Sequence, residues 1–328
     1  MKKILITGGA GFIGSHLTEL LLTQGHEVYI IDDLSTGSLD NLTHLVDNDH
    51  LHITNGRVQN QKILAPLMAG VDEVFHLAAS VGVRNIMENL VSSIENNIAG
   101  TAAVLEEADK HKIKVLLTST SEVYGKGTGA SSAETDDLRM GETIKTRWSY
   151  ACSKAMDEYL AFSFYHERGL PVTVARLFNT VGERQSSAYG MVIPRFVDQA
   201  LKNEPITVYG DGAQSRCFGH VKDVVGALVK LMDHSEAVGQ VYNIGNTEEI
   251  SIKELAEIVV KITGSRSEIV YIPYEKAFKT GFEDAESRRP NIDKIQKLIG
   301  YAPTYDIEAI VSAVVAHTRA EEQVAVGV

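Results

Sequence analysis

Apolar residues in the first half of the chain occur in two alternating patterns. Short apolar runs predict buried strands, and longer stretches with an apolar residue every three or four positions predict amphipathic helices. The predicted strands are 4–7, 28–31, 74–77, 115–119 and 172–177, and the predicted helices are 13–22, 94–110 and 150–168. Strands that alternate with helices form a parallel sheet with helices on both faces, which predicts an α/β fold.

The pattern changes after about residue 180. Shorter predicted strands (206–209, 240–244 and 268–272) mix there with predicted helices (194–202, 221–232 and 252–262). We therefore expect a first domain over residues 1–180, to which later segments return. A smaller α/β lobe over 181–320 and a frayed tail over 321–328 complete the predicted organisation.

A glycine-rich segment joins the first predicted strand to the first helix. Gly8, Gly11 and Gly14 have the G-x-x-G-x-x-G spacing, which allows a tight turn and close approach of a pyrophosphate to a helix N-terminus. Asp32 ends the second predicted strand, where a carboxylate accepts hydrogen bonds from ribose hydroxyls and repels a 2'-phosphate. These features predict a Rossmann-type, doubly wound sheet that binds NAD rather than NADP. Asp33 is interpreted as a turn residue.

A tyrosine and a lysine lie four residues apart in one predicted helix. Tyr150 and Lys154 therefore share a helix face, one turn apart. An ammonium near a phenol favours the phenolate, so this pair predicts a proton acceptor that works below the usual tyrosine pKa of ~10. Together with a dinucleotide, such a base indicates oxidation of an alcohol, for example a sugar or steroid carbinol.

Composition and charge exclude several classes of protein. The 328 residues are 44% apolar and carry a net charge of -12, which argues against a general nucleic-acid surface. The two cysteines, Cys152 and Cys217, have no metal-site spacing and indicate a reducing compartment. The sequence has no apolar run of the ~20 residues that a membrane helix needs, and its opening residues do not resemble a signal peptide. We expect a cytoplasmic protein without a metal ion.

Several motifs together resemble the extended short-chain dehydrogenases that modify nucleotide sugars. The resemblance covers nearly the whole chain and rests on the glycine motif, His-Leu-Ala-Ala at 76–79, Asn-Ile-Ala-Gly-Thr at 97–101, residues 118–125, residues 150–154, Arg-Leu-Phe-Asn at 176–179, residues 209–216 and Arg-Arg-Pro at 288–290. It implies that the N-terminal domain holds NAD and the C-terminal lobe holds a nucleoside-diphosphate sugar, which is oxidised at C4.

The resemblance also implies roles for individual residues. Tyr150 would be the base, and Lys154 would hold the nicotinamide ribose and lower the tyrosine pKa. Thr120 would share the hydrogen bond to the reacting hydroxyl. The implied NAD-binding positions are Gly8, Gly11, Phe12, Ile13, Gly14, Asp32, Leu77, Ala78, Ala79, Asn97, Tyr150 and Lys154. Asn179 and Arg216 would bind the diphosphate, with Arg288 a second cation near it, and Val192 would join the substrate site. His76 is assigned no chemistry.

Residues 119–125, Ser-Thr-Ser-Glu-Val-Tyr-Gly, bear on the reaction. Simple 4-epimerases generally lack an acid at the position of Glu122, whereas a carboxyl group there is useful when a second step comes after oxidation. The segment resembles that of UDP-glucuronate decarboxylases (UDP-xylose synthases), which we rank first. A UDP-sugar 4-epimerase ranks second and a 4,6-dehydratase third, since GDP-mannose dehydratases share Thr-Ser-Glu. A non-catalytic NAD-binding regulator ranks last, because Thr120, Tyr150 and Lys154 are all present.

The nature of the substrate stays open at the sequence level. Uracil is the favoured base, with GDP, dTDP and CDP sugars as alternatives. Ser80, Arg84 and Arg184 are candidates to bind a C6 carboxylate, if the sugar has one. Arg57 follows Gly56 where relatives usually have an aspartate for adenine, so Arg57 would stack on the ring, or Val58 and backbone groups would hold it.

The resemblance further implies a homodimer. Relatives pair two long helices per subunit, which here would be 91–110 and 150–168. The candidate apolar contacts are Ala102, Ala103, Leu105, Ala155, Tyr159, Phe162 and Phe164. The alternative is that these faces cover the sheet of their own subunit.

Overall fold

The computed structural model describes residues 1–127, 131–273, 276 and 288–326, and the side chains of 83–85 and 324–326 lie outside this description. The strands are β1 Lys3–Thr7, β2 Glu27–Asp32, β3 Leu51–Asn55, β4 Glu73–His76, β5 Lys114–Thr120, β6 Val172–Leu177, β7 Thr180–Val181, β8 Ile206–Tyr209, β9 Ser215–Cys217, β10 Gly219–His220, β11 Gln240–Ile244, β12 Glu249–Ser251 and β13 Ile269–Ile272. The helices are α1 Phe12–Thr23, α2 Gln61–Met68, α3 Val83–Glu88, α4 Leu90–His111, α5 Ser149–Arg168, α6 Val192–Leu201, α7 Val221–Asp233, α8 Ile252–Thr263, α9 Asp293–Ile299 and α10 Ile307–Val326.

Seven parallel strands form the central sheet, in the order β11-β6-β5-β4-β1-β2-β3. The strand order reverses between β1 and β4, so the loops after these two strands diverge to opposite faces. In open parallel sheets ligands bind in the crevice at such a switch point, beyond the carboxyl ends of the strands. The sheet confirms the expected Rossmann-type α/β fold.

Apolar helix faces cover both sides of this sheet. On one side Leu17 and Leu21 of α1 pack in the same buried cluster as Leu228 of α7. On the other side α2, α4 and α5 contribute to a second cluster that includes Val104 and Ala161. The strands are buried on both faces, which explains why their sequences are continuous apolar runs rather than alternating ones.

A smaller lobe has a core of its own. Helices α6, α8 and α10 pack together through buried residues such as Phe196, Leu255 and Val311. The short parallel pair β8–β13 lies beside them, and β9 pairs with β12 in antiparallel register. This lobe covers the carboxyl edge of the central sheet and closes one side of the crevice.

Some sequence expectations differ from the structure. β11 and α7 lie within 181–320 but belong to the central sheet and its helix layer, as expected of later segments that return to the first domain. β3 and α2 were not predicted, because β3 is an edge strand in which polar residues such as His52 and Thr54 interrupt the apolar pattern. The expected frayed tail at 321–328 is also wrong as far as residue 326, since α10 continues to that point.

Two further observations concern membrane-length helices and the cysteines. Among the residues that the structure describes, no helix is both long and apolar enough to cross a bilayer. Cys152 is exposed and Cys217 is buried, and both are free thiols.

Candidate active site

A cleft of about 1360 Å³ lies at the switch point, between the sheet and the smaller lobe. Ligand pockets of roughly 300–1,000 Å³ are typical of one small molecule, so the cleft has room for a dinucleotide and a second ligand. The residues predicted from the sequence that line it are Gly8, Gly11, Phe12, Ile13, Gly14, Asp32, Leu77, Ala78, Ala79, Ser80, Thr120, Glu122, Tyr150, Lys154, Asn179, Arg184, Val192, Arg216 and Arg288.

The glycine loop has the geometry of a phosphate cradle. Gly8 has a φ of 74°, which side chains rarely adopt. A Cβ on Gly14 would lie 2.1 Å from the Gly8 carbonyl oxygen, so only glycine allows the first turn of α1 to pack on the loop. The N-terminus of α1 thereby faces the cleft with its backbone N–H groups and positive dipole end, as a pyrophosphate requires.

Asp32 connects this loop to the end of β2. Its Oδ2 accepts from the Ala10 N–H at 2.9 Å, and its Oδ1 accepts from the Leu34 N–H at 2.9 Å. Burial raises the pKa of Asp32, and these two backbone donors oppose the rise. The carboxylate lines the cleft where a ribose would lie, so the residues present fit NAD.

Asp33 has a different set of contacts. It accepts from the Ser35 N–H, as expected of a turn residue, and its other oxygen lies 3.3 Å from Arg57 Nε at the cleft wall.

Tyr150 and Thr120 meet at one end of the cleft, the candidate catalytic end. The Thr120 hydroxyl is hydrogen-bonded with the Tyr150 phenol, and it also accepts from the Glu122 N–H at 3.2 Å. Burial raises the pKa of Tyr150 above its usual range, and the charge of Glu122 raises it further. The sequence predicted that Lys154 lowers this pKa, and in this structure the shift has the opposite direction.

The Lys154 ammonium is engaged by an aspartate. Its Nζ lies 2.8 Å from Asp157 Oδ2, and both side chains are buried. Lys154 still lines the cleft beside Tyr150, one turn away on the same helix face, as the spacing predicted. Asp157 was not identified from the sequence, although its position three residues after Lys154 puts it on a neighbouring part of the helix surface.

Glu122 forms a cluster with two arginines. Arg147 binds it with both terminal nitrogens, one of them 3.0 Å from Oε1, and Arg288 Nη1 lies 3.2 Å from the same oxygen. Burial alone would raise the pKa of Glu122, but the charges of Arg147 and Arg288 outweigh burial and lower it to about 2. Glu122 is therefore ionised at neutral pH.

Two of these contacts correct the sequence-based picture. Arg147 was missed as a functional residue, although its place three residues before Tyr150, in the 3-10 turn Thr146–Trp148 that leads into α5, was a usable signal. Arg288 was expected beside the diphosphate, and the structure places its guanidinium against Glu122 at the catalytic end.

Other predicted residues take mixed positions. Asn97 does not line the cleft, because its buried amide accepts from the Ser80 N–H and donates to Ser153 Oγ. Asn179 donates to the Cys217 carbonyl, and Arg216 donates to the Ser215 carbonyl. The side chain of Arg84, on α3, lies outside the described part of the structure.

Arg184 lies at the boundary between the cleft and α1. It has a φ of 66°, and its guanidinium pairs with Glu19 and lies 3.3 Å from Ser15 Oγ. A non-glycine residue in this conformation costs energy and occurs most often near functional sites. These contacts hold the loop that contains Arg184 against α1, the helix that follows the glycine loop.

Comparison with known proteins agrees with this arrangement. A profile of the family described as GDP-mannose 4,6 dehydratase matches residues 5–314. The UDP-N-acetyl-alpha-D-glucosaminuronate decarboxylase of Bacillus cytotoxicus is 43% identical over 94% of this chain and 94% of its own. UDP-glucuronic acid decarboxylase 1 of Danio rerio is 36% identical over 94% of this chain and 70% of its own.

A solved structure also matches nearly the whole chain. The UDP-glucuronic acid 4-epimerase of Bacillus cereus, in complex with UDP-glucuronic acid and NAD, has a TM-score of 0.88 at 28% identity, covering 97% of this chain and 99% of that chain. The fold and these relatives define an NAD-dependent enzyme of nucleotide-sugar metabolism. The chain belongs to the GDP-mannose 4,6-dehydratase family of extended short-chain dehydrogenases, which confirms the expected resemblance.

Proposed function

We propose that the protein is an NAD-dependent decarboxylase of a UDP-uronate, of the UDP-glucuronate type. The observation that carries the proposal is the convergence of Arg147 and Arg288 on Glu122 at the catalytic end of the cleft. A guanidinium fork matches a carboxylate in a bidentate way. A substrate carboxylate at C6 would share these two guanidiniums with Glu122 or replace it. The two relatives described above are decarboxylases of UDP-uronates by name.

The other residues suit the steps of this reaction. When bound, NAD supplies the hydride acceptor and donor for sugar carbon C4. Tyr150, hydrogen-bonded with Thr120, acts as the base in its phenolate form, accepting the proton of the C4 hydroxyl and later returning it. The positive charges of Lys154 and of a bound oxidised nicotinamide would favour this form against the effect of burial. In the 4-keto sugar the bond between C5 and the carboxylate breaks, CO2 leaves, and the electron pair moves onto the ketone as an enolate. C5 then takes a proton from water.

The sequence suggested that the carboxyl group of Glu122 serves a second step after oxidation, and the structure supports a different role for it. With a pKa of about 2, Glu122 holds no proton to donate at neutral pH. We assign it instead to positioning Arg147 and Arg288, because one carboxylate contacts both guanidiniums.

Product analysis tests the proposal. The purified protein with NAD is incubated with UDP-glucuronate, UDP-N-acetylglucosaminuronate, UDP-glucose and GDP-mannose, and products are identified by mass spectrometry and proton NMR. Loss of the mass of CO2 from a uronate, with no change in the two neutral sugars, is expected. Turnover of a neutral sugar by loss of water, with uronates unchanged, would contradict the proposal. Tyr150→Phe serves as the control that retains NAD without turnover.

A second candidate is 4-epimerisation of UDP-glucuronate. It is favoured by the close structural match to the Bacillus cereus epimerase, which binds the same carboxylated substrate. The two reactions share the oxidation at C4 and differ in the fate of the 4-keto sugar, which either loses CO2 or takes the hydride back on its other face. An unchanged mass with an altered H4 coupling in the NMR spectrum would identify the epimerase.

We also propose that the protein is a homodimer through α4 and α5. Val91 on α4 is 71% exposed, and Met156 and Tyr159 on α5 are 53% and 64% exposed. Of the predicted contacts, Tyr159 fits this surface, whereas the core of the subunit buries Ala103, Leu105 and Phe164. Light scattering should give twice the subunit mass of 35.8 kDa, and Tyr159→Asp should lower it. A monomer at micromolar concentration would overturn this proposal.

A further inference from the structure

A chain of buried polar side chains begins at the Lys154 ammonium. Asp157 Oδ2 lies 2.8 Å from Lys154 Nζ, and Asp157 is hydrogen-bonded with the Thr101 side chain. Thr101 Oγ1 lies 3.2 Å from His76 Nε2, and His76 Nδ1 lies 2.7 Å from Thr7 Oγ1. The chain therefore joins α5 to α4, β4 and β1 without leaving the protein interior.

The far end of this chain reaches the cofactor half of the cleft. Thr7 is the last residue of β1, directly before the glycine loop, and its hydroxyl accepts from the Ala78 N–H at 3.1 Å. Gly8 and Ala78 both line the cleft. Thr7 and Asp157 are fully buried, so these groups have few alternative partners. Apart from Asp157 Oδ1, which has no hydrogen-bond partner among the described residues, the side chains of this network are paired, and such buried networks favour one geometry.

We propose that Asp157 is a positioning residue that acts through Lys154. Its carboxylate aims the ammonium along α5, and Thr101 and His76 hold the carboxylate in register with the loops after β1 and β4. The inference rests on the role proposed for Tyr150 and on the role that the family resemblance implies for Lys154. It applies to oxidation at C4, so it holds for the decarboxylase and for the epimerase.

The charged groups around Lys154 and Asp157 determine how removal of the Asp157 charge changes the pKa of Tyr150. Glu158 faces Asp157 from α5, and His76 faces Lys154 from β4. Tyr150, which the Asp157 charge also reaches, has Glu122 and Arg147 as its other charged neighbours. Burial, and then the Lys154 charge, lower the pKa of His76 to about 3, so this imidazole is neutral. Glu158 is paired with Arg176. Asp157 is thus the counter-ion of Lys154, and its charge adds to the burial that raises the pKa of Tyr150.

The test compares Asp157→Asn with the wild-type holoenzyme. The substitution keeps the shape and removes the charge, so the Tyr150 phenolate should form about one pH unit lower. Phenolate absorbance of the NAD-loaded protein, corrected with the same titration of a Tyr150→Phe variant, measures this without any turnover. The rate of NAD reduction after mixing with UDP-glucuronate should show its acid limb displaced by the same amount. Asp109→Asn, which removes the acid of an exposed aspartate–lysine pair three residues apart, is the matched control.

The outcomes separate this inference from the proposed function. If no uronate is turned over, the phenolate titration still decides the role of Asp157. If Asp157→Asn melts at the wild-type temperature and its Tyr150 phenolate titration is unchanged, the inference is overturned. The Lys154–Asp157 ion pair would then be purely structural. If Asp157→Asn does not fold, Asp157→Ser also removes the charge and should lower the pKa of Tyr150 in the same direction. A titration that does not move in Asp157→Ser would then overturn the inference.

Discussion

Two glutamates that are paired with arginine differ in what surrounds them. Glu122 faces the cleft, where Arg147 and Arg288 both bind it. Glu158 does not line the cleft, and Arg176 Nη2 lies 2.7 Å from its Oε2.

The second pair is enclosed by its own scaffold. The Ser119 hydroxyl donates to Glu158, and Arg176 stacks over the Tyr124 ring at 4.7 Å. Neither Glu158 nor Arg176 lines the cleft. The comparison shows that a buried glutamate–arginine ion pair does not by itself identify a functional residue. Access to the cleft and the sharing of one carboxylate by two guanidiniums make the first pair a candidate for substrate recognition.

The largest effect on stability is expected from breaking the enclosed pair. Glu158→Ala leaves the Arg176 charge buried without its partner, which should lower the free energy of unfolding by about 3–5 kcal/mol. Denaturant unfolding measures this, with the exposed Glu106→Ala as a control that should be close to neutral. Turnover per folded molecule should stay near the wild-type value. A stable variant that has lost turnover would reverse the roles assigned to the two pairs.

The second effect is on catalysis. Arg288→Met should lower kcat/KM for a UDP-uronate by roughly 10²–10³-fold, the typical cost of one lost charge-stabilising donor. Stability should change little, because Arg147 still pairs with Glu122. Arg289→Met is the matched control, since the neighbouring Arg289 is half-exposed and lies 3.9 Å from Glu249 outside the cleft. Equal losses in the two variants would remove Arg288 from the substrate site.

The smallest effect is a difference in acid stability. Glu122 has a pKa of about 2 in the folded protein and an ordinary value of 4.5, so its ion pairs stabilise the fold above about pH 4.5. This contribution is lost as the pH falls through about 2. Glu122→Gln should therefore lose less stability than the wild type between these two values. Unfolding curves recorded across this range measure the difference, and parallel curves would show that Glu122 is not held ionised.

Sequence reasoning succeeded where the relevant residues are close together in the chain. The turn at Gly8 and Gly14 and the helix face shared by Tyr150 and Lys154 depend on local spacing, so both were predicted before any geometry was known. The same locality explains the correct strand predictions in the parallel sheet.

Sequence reasoning failed where contacts between distant parts of the chain determine the position or the pKa of a side chain. Arg147 and Arg288 reach Glu122 from 25 and 166 residues away, and no periodicity connects such positions. The pKa of Tyr150 had the wrong predicted direction, because burial and nearby carboxylates outweigh the effect that the Tyr–Lys spacing suggests. Asn97 was assigned to the cofactor, and its amide instead links Ser80 to Ser153.

The central claim is that Arg147 and Arg288 recognise a carboxylate on the sugar. Calorimetry with NAD-loaded Tyr150→Phe measures this most directly, because binding is then separated from turnover. UDP-glucuronate should bind at least about tenfold more tightly than UDP-glucose, which corresponds to ~1.4 kcal/mol, and Arg288→Met should remove most of that preference. Equal affinity for the two sugars, or a preference that survives Arg288→Met unchanged, would contradict the account.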